Sequence, residues 1–472
     1  MKRNIQKLVL AIIALVIAIP SWGETSPKRE HRSAWISTVY RLCWPTTAGT
    51  SSSVASAQKS EALAIIEKMH ENNFNALYFQ VRSRSDAMYK SSYEPWSSDL
   101  TGSRGATPAW DPLEYWVAEC HKRGMECYAW INPYRYESSA GAWGTADYRK
   151  DHPDWIMEYN NATILNPGLE AVQQRIVDIV TEIITNYDVD GIVFDDYFYP
   201  YPANGADGKP AAFDDAAAFA AYGEGFEDLA AWRRDNINKL IAQVYETVHT
   251  TDPECVFGVS PFGIWQNDNG KNGGSATNGL EGYKALHCDA LAWVEAGTVD
   301  YLSPQLYWQF TTTSAPYDVL VRWWNTVLEN TGVDLYVSHA VYRYEEGNWT
   351  DPEGEMTEQV AFARSELSYK GSVYYGYDEI HRNTKGAADE LKKLYETEII
   401  YSDVVSNGQP VQITSPVSGS VMAADTTYVI TLIFNLVAIA EMLILGEDGR
   451  RAADGNFGWG MMGAAVATVL SR

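Results

Sequence analysis

The sequence of 472 residues predicts an α/β protein built on a TIM barrel, a closed ring of eight parallel strands each followed by a helix. Eight short runs rich in Val, Ile, Tyr, Phe and Trp occur in order, and stretches with helical periodicity separate them. An open doubly wound sheet is the alternative, but it normally uses fewer strands. No glycine-rich phosphate-binding turn follows the first run, so the barrel is favoured.

Each of the eight apolar runs is typical of a short strand that is buried on both faces. Because strands alternate with helices, we expect right-handed βαβ units and a parallel sheet. The predicted strands cover residues 33–39, 76–81, 126–131, 191–195, 256–260, 301–307, 335–339 and 372–377.

The intervening stretches place apolar residues on one helical face. Ala62, Ile65, Ile66 and Met69, for example, follow the spacing i, i+3, i+4, i+7 that a half-buried helix requires. The predicted helices cover residues 58–72, 111–123, 170–187, 227–249, 289–296, 317–330, 355–368 and 386–396.

The two ends of the chain differ from the predicted barrel, which we assign to residues 29–400. Residues 1–23 combine basic Lys2, Arg3 and Lys7 with a short apolar run and a turn, a pattern typical of a secretory signal peptide. We therefore expect an exported protein, periplasmic or extracellular, that is free of the membrane after cleavage. Residues 409–472 predict a short, incomplete β-rich segment, either a partial β-sandwich-like module or a disordered tail, because such a module normally needs about 100 residues.

Composition narrows the class of partner. Acidic residues outnumber basic ones by 61 to 36, which gives a net charge of −25. Binding to nucleic acid or to an anionic membrane requires a surplus of basic groups, so both are disfavoured as partners. The chain has 17 Trp and 30 Tyr against 13 Phe, and such rings either line sugar sites or fill cores. The five cysteines match no metal-binding spacing, and we expect neither a metal nor a cofactor. The oligomeric state stays open.

The segment that follows the predicted fourth strand carries the sharpest chemical signal. In a TIM barrel the active site lies at the carboxyl ends of the strands, and Asp195 and Asp196 stand there. Side-chain alternation directs Asp195 into the barrel mouth and Asp196 away from it, unless the strand has already ended. Two close carboxyl groups raise each other's pKa, so that one can remain a proton donor. Glu379 and Asp86 are further candidates for a second catalytic acid.

Other polar and aromatic residues fall at the same predicted strand ends. Amides, arginines, carboxylates and flat rings suit a ligand with many hydroxyl groups and apolar ring faces, so we expect a polysaccharide as the partner. For Arg82, a structural ion pair is an equally good interpretation. The candidate catalytic residues are Asp195, Asp196 and Glu379, and the candidate substrate-binding residues are Arg82, Asp86, Asn132, Tyr134, Arg135, Tyr197, Gln305, Tyr307, Trp308 and Tyr342.

Several motifs together resemble one family. HRSAWISTVYRLCWP, NALYFQVRSRSDAMY, AWINPYR, GIVFDDYFYP and SPQLYWQ occur in this order and are similar to the glycosyl hydrolase-like 10 family of bacterial secreted proteins. The resemblance extends over roughly residues 29–394. It implies a TIM-barrel glycoside hydrolase in a family of which some members act on bacterial cell-wall glycan, including strands stripped of peptide.

The segment GIVFDDYFYP also resembles the motif of family 18 chitinases, with two departures. Val193 stands where that family has an aspartate, and Tyr197 stands where it has its acidic glutamate. Substrate-assisted cleavage of the chitinase type is therefore not supported. Two other functions stay open at this point, namely a non-catalytic glycan-binding barrel and a hydrolase of another polysaccharide.

Overall fold

A computed structural model describes residues 30–136, 148–160, 162–205, 208–346, 349 and 352–396. The predicted signal peptide, residues 1–23, and the predicted C-terminal segment, residues 409–472, lie outside the described residues. Within the described ranges, no helix is both long enough and apolar enough to cross a membrane.

Eight parallel strands close into a barrel in which neighbours in the chain are neighbours in the sheet. The last strand pairs with the first, His31 lying opposite Gly371, and this pairing completes the ring. The prediction of a TIM barrel is thereby confirmed. The strands are β1 His31–Ile36, β2 Ala76–Arg82, β3 Glu126–Ile131, β4 Gly191–Phe194, β5 Val256–Val259, β6 Tyr301–Leu302, β7 Asp334–Ala340 and β8 Tyr369–Tyr375.

Eight principal helices follow the strands. The N-terminal caps are visible in the sequence: the side chains of Ser51, Asp111 and Asp228 each accept a hydrogen bond from a backbone N–H in the first turn of a helix. The helices are α1 Ser52–Glu71, α2 Pro112–His121, α3 Glu170–Asn186, α4 Leu229–Thr251, α5 Ala290–Ala296, α6 Tyr317–Leu328, α7 Glu355–Ala363 and α8 Ala387–Leu394.

Three features differ between the predicted and the observed elements: a strand length, a helix start and an additional sheet. Strand β6 has two residues rather than seven, because Pro304 lacks the N–H that a longer ladder would need. Helix α1 begins six residues earlier than predicted, since Ser51 caps a polar first turn that carries no apolar periodicity. A three-stranded antiparallel sheet, formed by Arg135–Tyr136, Ile156–Tyr159 and Ala162–Leu165, was not predicted and lies between β3 and α3 in the chain. Further short helices are Ser98–Thr101, Tyr148–Asp151, Ala216–Tyr222, Gly282–Ala285, Arg343–Glu346 and Tyr377–His381.

Aromatic rings fill part of the barrel interior. Tyr301 stacks on Tyr336 with ring centroids 4.6 Å apart, and Tyr78 and Tyr128 lie beside them. Strand glycines make room for these rings: a Cβ atom on Gly258 would lie 2.2 Å from the ring of Tyr301. A large share of the aromatic content is therefore core packing, as the fully buried Trp44, Trp116, Trp232, Trp293 and Trp324 also show.

Two aspartates tie neighbouring strands together at the amino ends of the barrel. Asp190 precedes β4, accepts a hydrogen bond from the backbone N–H of Cys127 and contacts His121 at the end of α2. Asp300 precedes β6 and makes the equivalent contacts with Phe257 and with His249 on α4. These repeated contacts fix this rim, so the opposite rim is the one left to bind ligands.

A buried ion network joins the first and last parts of the barrel. Glu30 has no solvent exposure, and its carboxylate accepts hydrogen bonds from Arg32, from both Nε and Nη2 of Arg364 and from the hydroxyl of Tyr369. Residues before β1, after α7 and at the start of β8 thus share one carboxylate. Because the two guanidinium groups have little access to water, removal of this charge should be costly.

We expect Glu30→Gln to lower the free energy of unfolding by about 3 kcal/mol, since it removes a buried negative charge that two largely buried guanidinium groups share. Urea and thermal denaturation measure the change. Glu345→Gln is the matched control, because Glu345 pairs with Arg382 at the surface and its substitution should cost much less than that of Glu30. Equal losses in the two variants would contradict the assignment.

Candidate active site

A cavity of about 330 Å³ opens at the carboxyl ends of the barrel strands. It brings together residues that follow several different strands, as expected for the functional face of a TIM barrel. Seven of the sequence-predicted site residues line it: Asp195, Asp196, Tyr197, Gln305, Tyr307, Trp308 and Tyr342.

The early end of β4 determines how the two aspartates are placed. The strand ends at Phe194, whose carbonyl accepts the last ladder hydrogen bond from Ser260, and the chain then turns, with the N–H of Phe198 bonded to the carbonyl of Asp196. Strict alternation therefore stops before Asp195. Both Asp195 and Asp196 line the cavity. Asp196 faces the cavity, as expected for a strand that has already ended before this residue.

Asp195 is 5% exposed and has two hydrogen-bond donors. The indole Nε1–H of Trp130 donates to its Oδ2 at 3.1 Å, and the backbone N–H of Tyr197 donates to its Oδ1 at 3.2 Å. Burial, followed by the nearby charge of Asp196, raises the pKa of Asp195 to about 7, although both donors oppose the rise. Asp195 can therefore carry a proton near neutral pH.

Asp196 is 1% exposed, and its Oδ2 accepts a hydrogen bond from the hydroxyl of Tyr201. Burial raises the pKa of Asp196 to about 6, while hydrogen bonds from Tyr201 and Gln305 oppose the rise. The cavity thus holds two adjacent carboxyl groups whose pKa values are both raised. In such a pair one group can keep a proton for donation while its neighbour is ionised.

Aromatic rings form the walls and floor of the cavity. Tyr307 and Tyr375 lie nearly parallel with centroids 6.3 Å apart, and Tyr342 meets both edge-on. The rings of Trp35 and Trp130 pack against each other with centroids 4.8 Å apart. Both residues belong to the barrel interior and also line the cavity. The rings offer flat apolar faces beside polar groups, an arrangement that suits sugar rings.

A second cavity of about 440 Å³ adjoins the first, since Tyr197 and Tyr201 line both. Arg135, a predicted substrate-binding residue, lines this second cavity, and its positive charge opposes the rise in the pKa of Asp195. Together the two cavities offer room for a ligand longer than one sugar unit.

Comparison with known proteins identifies the family. Residues 30–354 match the family model described as Glycosyl hydrolase-like 10. The chain belongs to this family. Family membership confirms the resemblance found in the sequence and supports a glycosidase.

Two curated members of the glycosyl hydrolase-like 10 family illustrate the similarity. The chain is 34% identical over 400 residues to glycosyl hydrolase YngK of Bacillus subtilis (strain 168), a match that covers 83% of this chain and 77% of that protein. It is 35% identical over 357 residues to glycosyl hydrolase DigH of Escherichia coli (strain K12), covering 72% of this chain and 80% of that one.

Solved structures similar to this glycosyl hydrolase-like 10 chain are more distant. The PgaB (BpsB) glycoside hydrolase domain from Bordetella bronchiseptica has a TM-score of 0.49 and 13% identity, over 77% of this chain and 99% of that one. The catalytic domain of a β-amylase from Paenibacillus polymyxa has a TM-score of 0.49 and 11% identity, over 78% and 98% of the two chains.

Five predicted site residues of this family member lie outside both cavities. Arg82 is fully buried and pairs with Glu94 at 2.7 Å, as the alternative of a structural ion pair requires. It also donates to the carbonyl oxygens of Asn132 and Pro133, and it thereby fixes the loop after β3.

The other four are likewise held within the protein. Asp86 accepts hydrogen bonds from Ser83 and from the backbone N–H of Arg84, and Asn132 accepts one from Gln80. Tyr134 has no solvent exposure. Glu379 lies on the short helix Tyr377–His381 and pairs with Arg382 at 3.1 Å. Arg82, Asp86, Asn132, Tyr134 and Glu379 therefore do not line either of the two cavities.

Several lining residues were not among the predicted site residues. Trp35 and Trp130 lie within strands, where alternation already directs them inward, so the same argument that selected Asp195 could have found them. Tyr375 is the last residue of β8. Tyr201 stands seven residues beyond β4, and only the turn after Asp196 brings it back.

The pH dependence of the free energy of unfolding tests whether Asp195 is buried with a raised pKa. Its pKa is about 7 in the folded protein against an ordinary value of 3.8, so between these values the folded state binds more protons than the unfolded state. This contribution to the free energy of unfolding therefore falls as pH rises through the window. We expect Asp195→Asn, which cannot titrate, to gain stability relative to the unsubstituted protein by on the order of a few kcal/mol between about pH 4 and pH 8.

Thermal unfolding of the two proteins across this pH range measures the difference. Asp235→Asn is the control, because Asp235 pairs with Lys239 on α4, away from the cavity, and should follow the unsubstituted protein at every pH. A constant difference between Asp195→Asn and the unsubstituted protein would refute the raised pKa.

Proposed function

We propose that this glycosyl hydrolase-like 10 protein is a secreted enzyme that cleaves glycosidic bonds in bacterial cell-wall glycan, including strands stripped of peptide. The observation that carries the proposal is the pair Asp195 and Asp196, two buried carboxyl groups with raised pKa values in an aromatic-lined cavity at the functional rim of the barrel. The resemblance of the sequence motifs to a family in which some members act on bacterial cell-wall glycan supports the substrate class.

The geometry supports a division of roles between the two carboxyl groups. Asp195, with the higher pKa, donates its proton to the glycosidic oxygen as the bond from the anomeric carbon to this oxygen breaks. Asp196, held as a carboxylate by Tyr201 and Gln305, stabilises the positive charge that develops on the sugar ring. Water supplies the hydroxyl group that bonds to the anomeric carbon, and the proton released from water restores Asp195.

The cavity walls position the sugar for this step. Tyr307 and Tyr375 present nearly parallel faces, which stack on the apolar faces of hexose rings. The floor residue Trp130 also donates to Asp195, so the ring that supports the ligand fixes the direction of the acid. Substrate binding and acid orientation therefore depend on the same side chain.

Export is the second part of the proposal. The basic and apolar pattern of residues 1–23 supports removal of a signal peptide and delivery to the periplasm or the medium, where wall glycan is accessible. N-terminal sequencing of the protein recovered from cell fractions tests it, and an intact Met1 in the cytoplasmic fraction would contradict it.

We expect the purified full-length protein to release soluble fragments from peptide-free wall glycan, as detected by mass spectrometry. Asp195→Asn and Asp196→Asn should each lower kcat/KM at least about 100-fold, because each removes a proton-transferring or charge-stabilising group. Asp235→Asn is the matched control and should retain full activity.

Each other outcome favours a different function. Binding of wall glycan without products would favour a non-catalytic glycan-binding barrel. Products from chitin or xylan but not from wall glycan would favour a hydrolase of another polysaccharide. Full activity in Asp195→Asn would contradict the assignment of the site.

A further inference from the structure

The second cavity has a wall that the proposed reaction does not use. Tyr40 follows β1, and its side chain is 58% exposed at this cavity. Its backbone has a φ of +53°, a conformation that bulky residues rarely adopt and that surrounding contacts must hold in place. An exposed ring on strained backbone indicates a surface preformed for a ligand.

Two contacts hold Tyr40 in this position. The guanidinium of Arg84 lies over its ring, 4.5 Å from the centroid. Asp99 accepts a hydrogen bond from the backbone N–H of Tyr40 at 3.1 Å and pairs with Arg84 at 2.5 Å. The charge of Arg84 is therefore compensated by Asp99, and the ring of Tyr40 is fixed before any ligand arrives.

Arg135 occupies the space between two rings of this cavity. Its guanidinium lies 5.3 Å from the ring centroid of Tyr197 and 6.0 Å from that of Tyr40. Across the ranges that the structure describes, Arg135 has no carboxylate within ion-pair distance. A half-buried guanidinium that lies against aromatic rings, with no counter-ion among the described residues, is suited to bind a carboxylate through two parallel hydrogen bonds.

We infer that the second cavity is a subsite for a sugar that carries a free carboxylate, bound by Arg135 and stacked on Tyr40. If the proposed wall-glycan substrate is correct, on which this inference rests, the sugar is a muramic acid unit whose lactyl carboxyl has lost its peptide. An attached peptide converts that carboxyl into a neutral amide, and a polymer of N-acetylglucosamine lacks it. The subsite therefore selects peptide-stripped strands.

The arrangement of the two cavities fits one continuous strand. Tyr197 separates them and contacts both the aspartate pair and Arg135, since its backbone N–H donates to Asp195 and its ring faces Arg135. A unit bound at Arg135 is thus a near neighbour of the unit positioned for cleavage. The volume of about 440 Å³ lies within the usual range for sites that bind small ligands.

The test compares two forms of one peptide-free wall glycan, the native form and a form with its lactyl carboxyls converted into methyl amides. The unsubstituted protein should have a kcat/KM about tenfold higher on the native form than on the amide form. The difference should lie in KM, because the amide loses a charge-assisted pair of hydrogen bonds. Arg135→Gln should reduce this ratio to about one. Arg135→Lys, which keeps the charge but not the paired donors, should retain part of it.

Arg322→Gln is the matched control, because Arg322 lies on the exposed face of α6 and should keep the full preference. Equal cleavage of both glycans by the unsubstituted protein, or an equal loss on both in Arg135→Gln, would overturn the carboxylate subsite and leave the proposed function intact. Cleavage of neither glycan would overturn the proposed function. Calorimetric binding of the two forms would then decide the subsite, and equal affinities would reject it.

Discussion

The burial of two consecutive carboxyl groups is the constraint on which the site depends. An ionised carboxylate removed from water is costly unless donors or a counter-charge replace its hydration. Asp195 receives an indole N–H and a backbone N–H, whereas Asp196 receives a tyrosine hydroxyl and an amide. Because these donors replace hydration only in part, both pKa values stay raised. The chemistry proposed for the site follows from this incomplete compensation.

The aromatic interior of the barrel determines where that burial is possible. Rings such as Tyr301 and Tyr336 fill the space between the strands, so the interior of the barrel is a packed core. Trp35 and Trp130 form the upper boundary of this packing and also the floor of the cavity. The hydrogen bond from Trp130 to Asp195 therefore connects the core with the site. A core substitution that moves this indole would also move the acid.

The sequence predicts the barrel well because period-two and helical patterns are local, and a closed ring is the simplest way to pair eight such units. It also predicts that Asp195 lies at the cavity, since this residue directly follows a strand at the rim where barrels bind ligands. It does not predict the partners of Arg82, because Glu94 reaches it through a loop that carries no periodic signal. The role of Tyr40 is equally hidden, since its left-handed backbone and its contact with Arg84 arise only in the folded chain.

A net charge of −25 and a site for an anionic sugar are physically compatible. At physiological ionic strength, exposed charges farther apart than about 8 Å are largely screened, so a ligand in the second cavity experiences mainly the groups that line it. Asp99 already compensates Arg84, and the charge of Arg135 is therefore the local field that a carboxylate meets. Nucleic acid would need many such cations along an extended surface, whereas one sugar carboxylate needs a single guanidinium held between two rings.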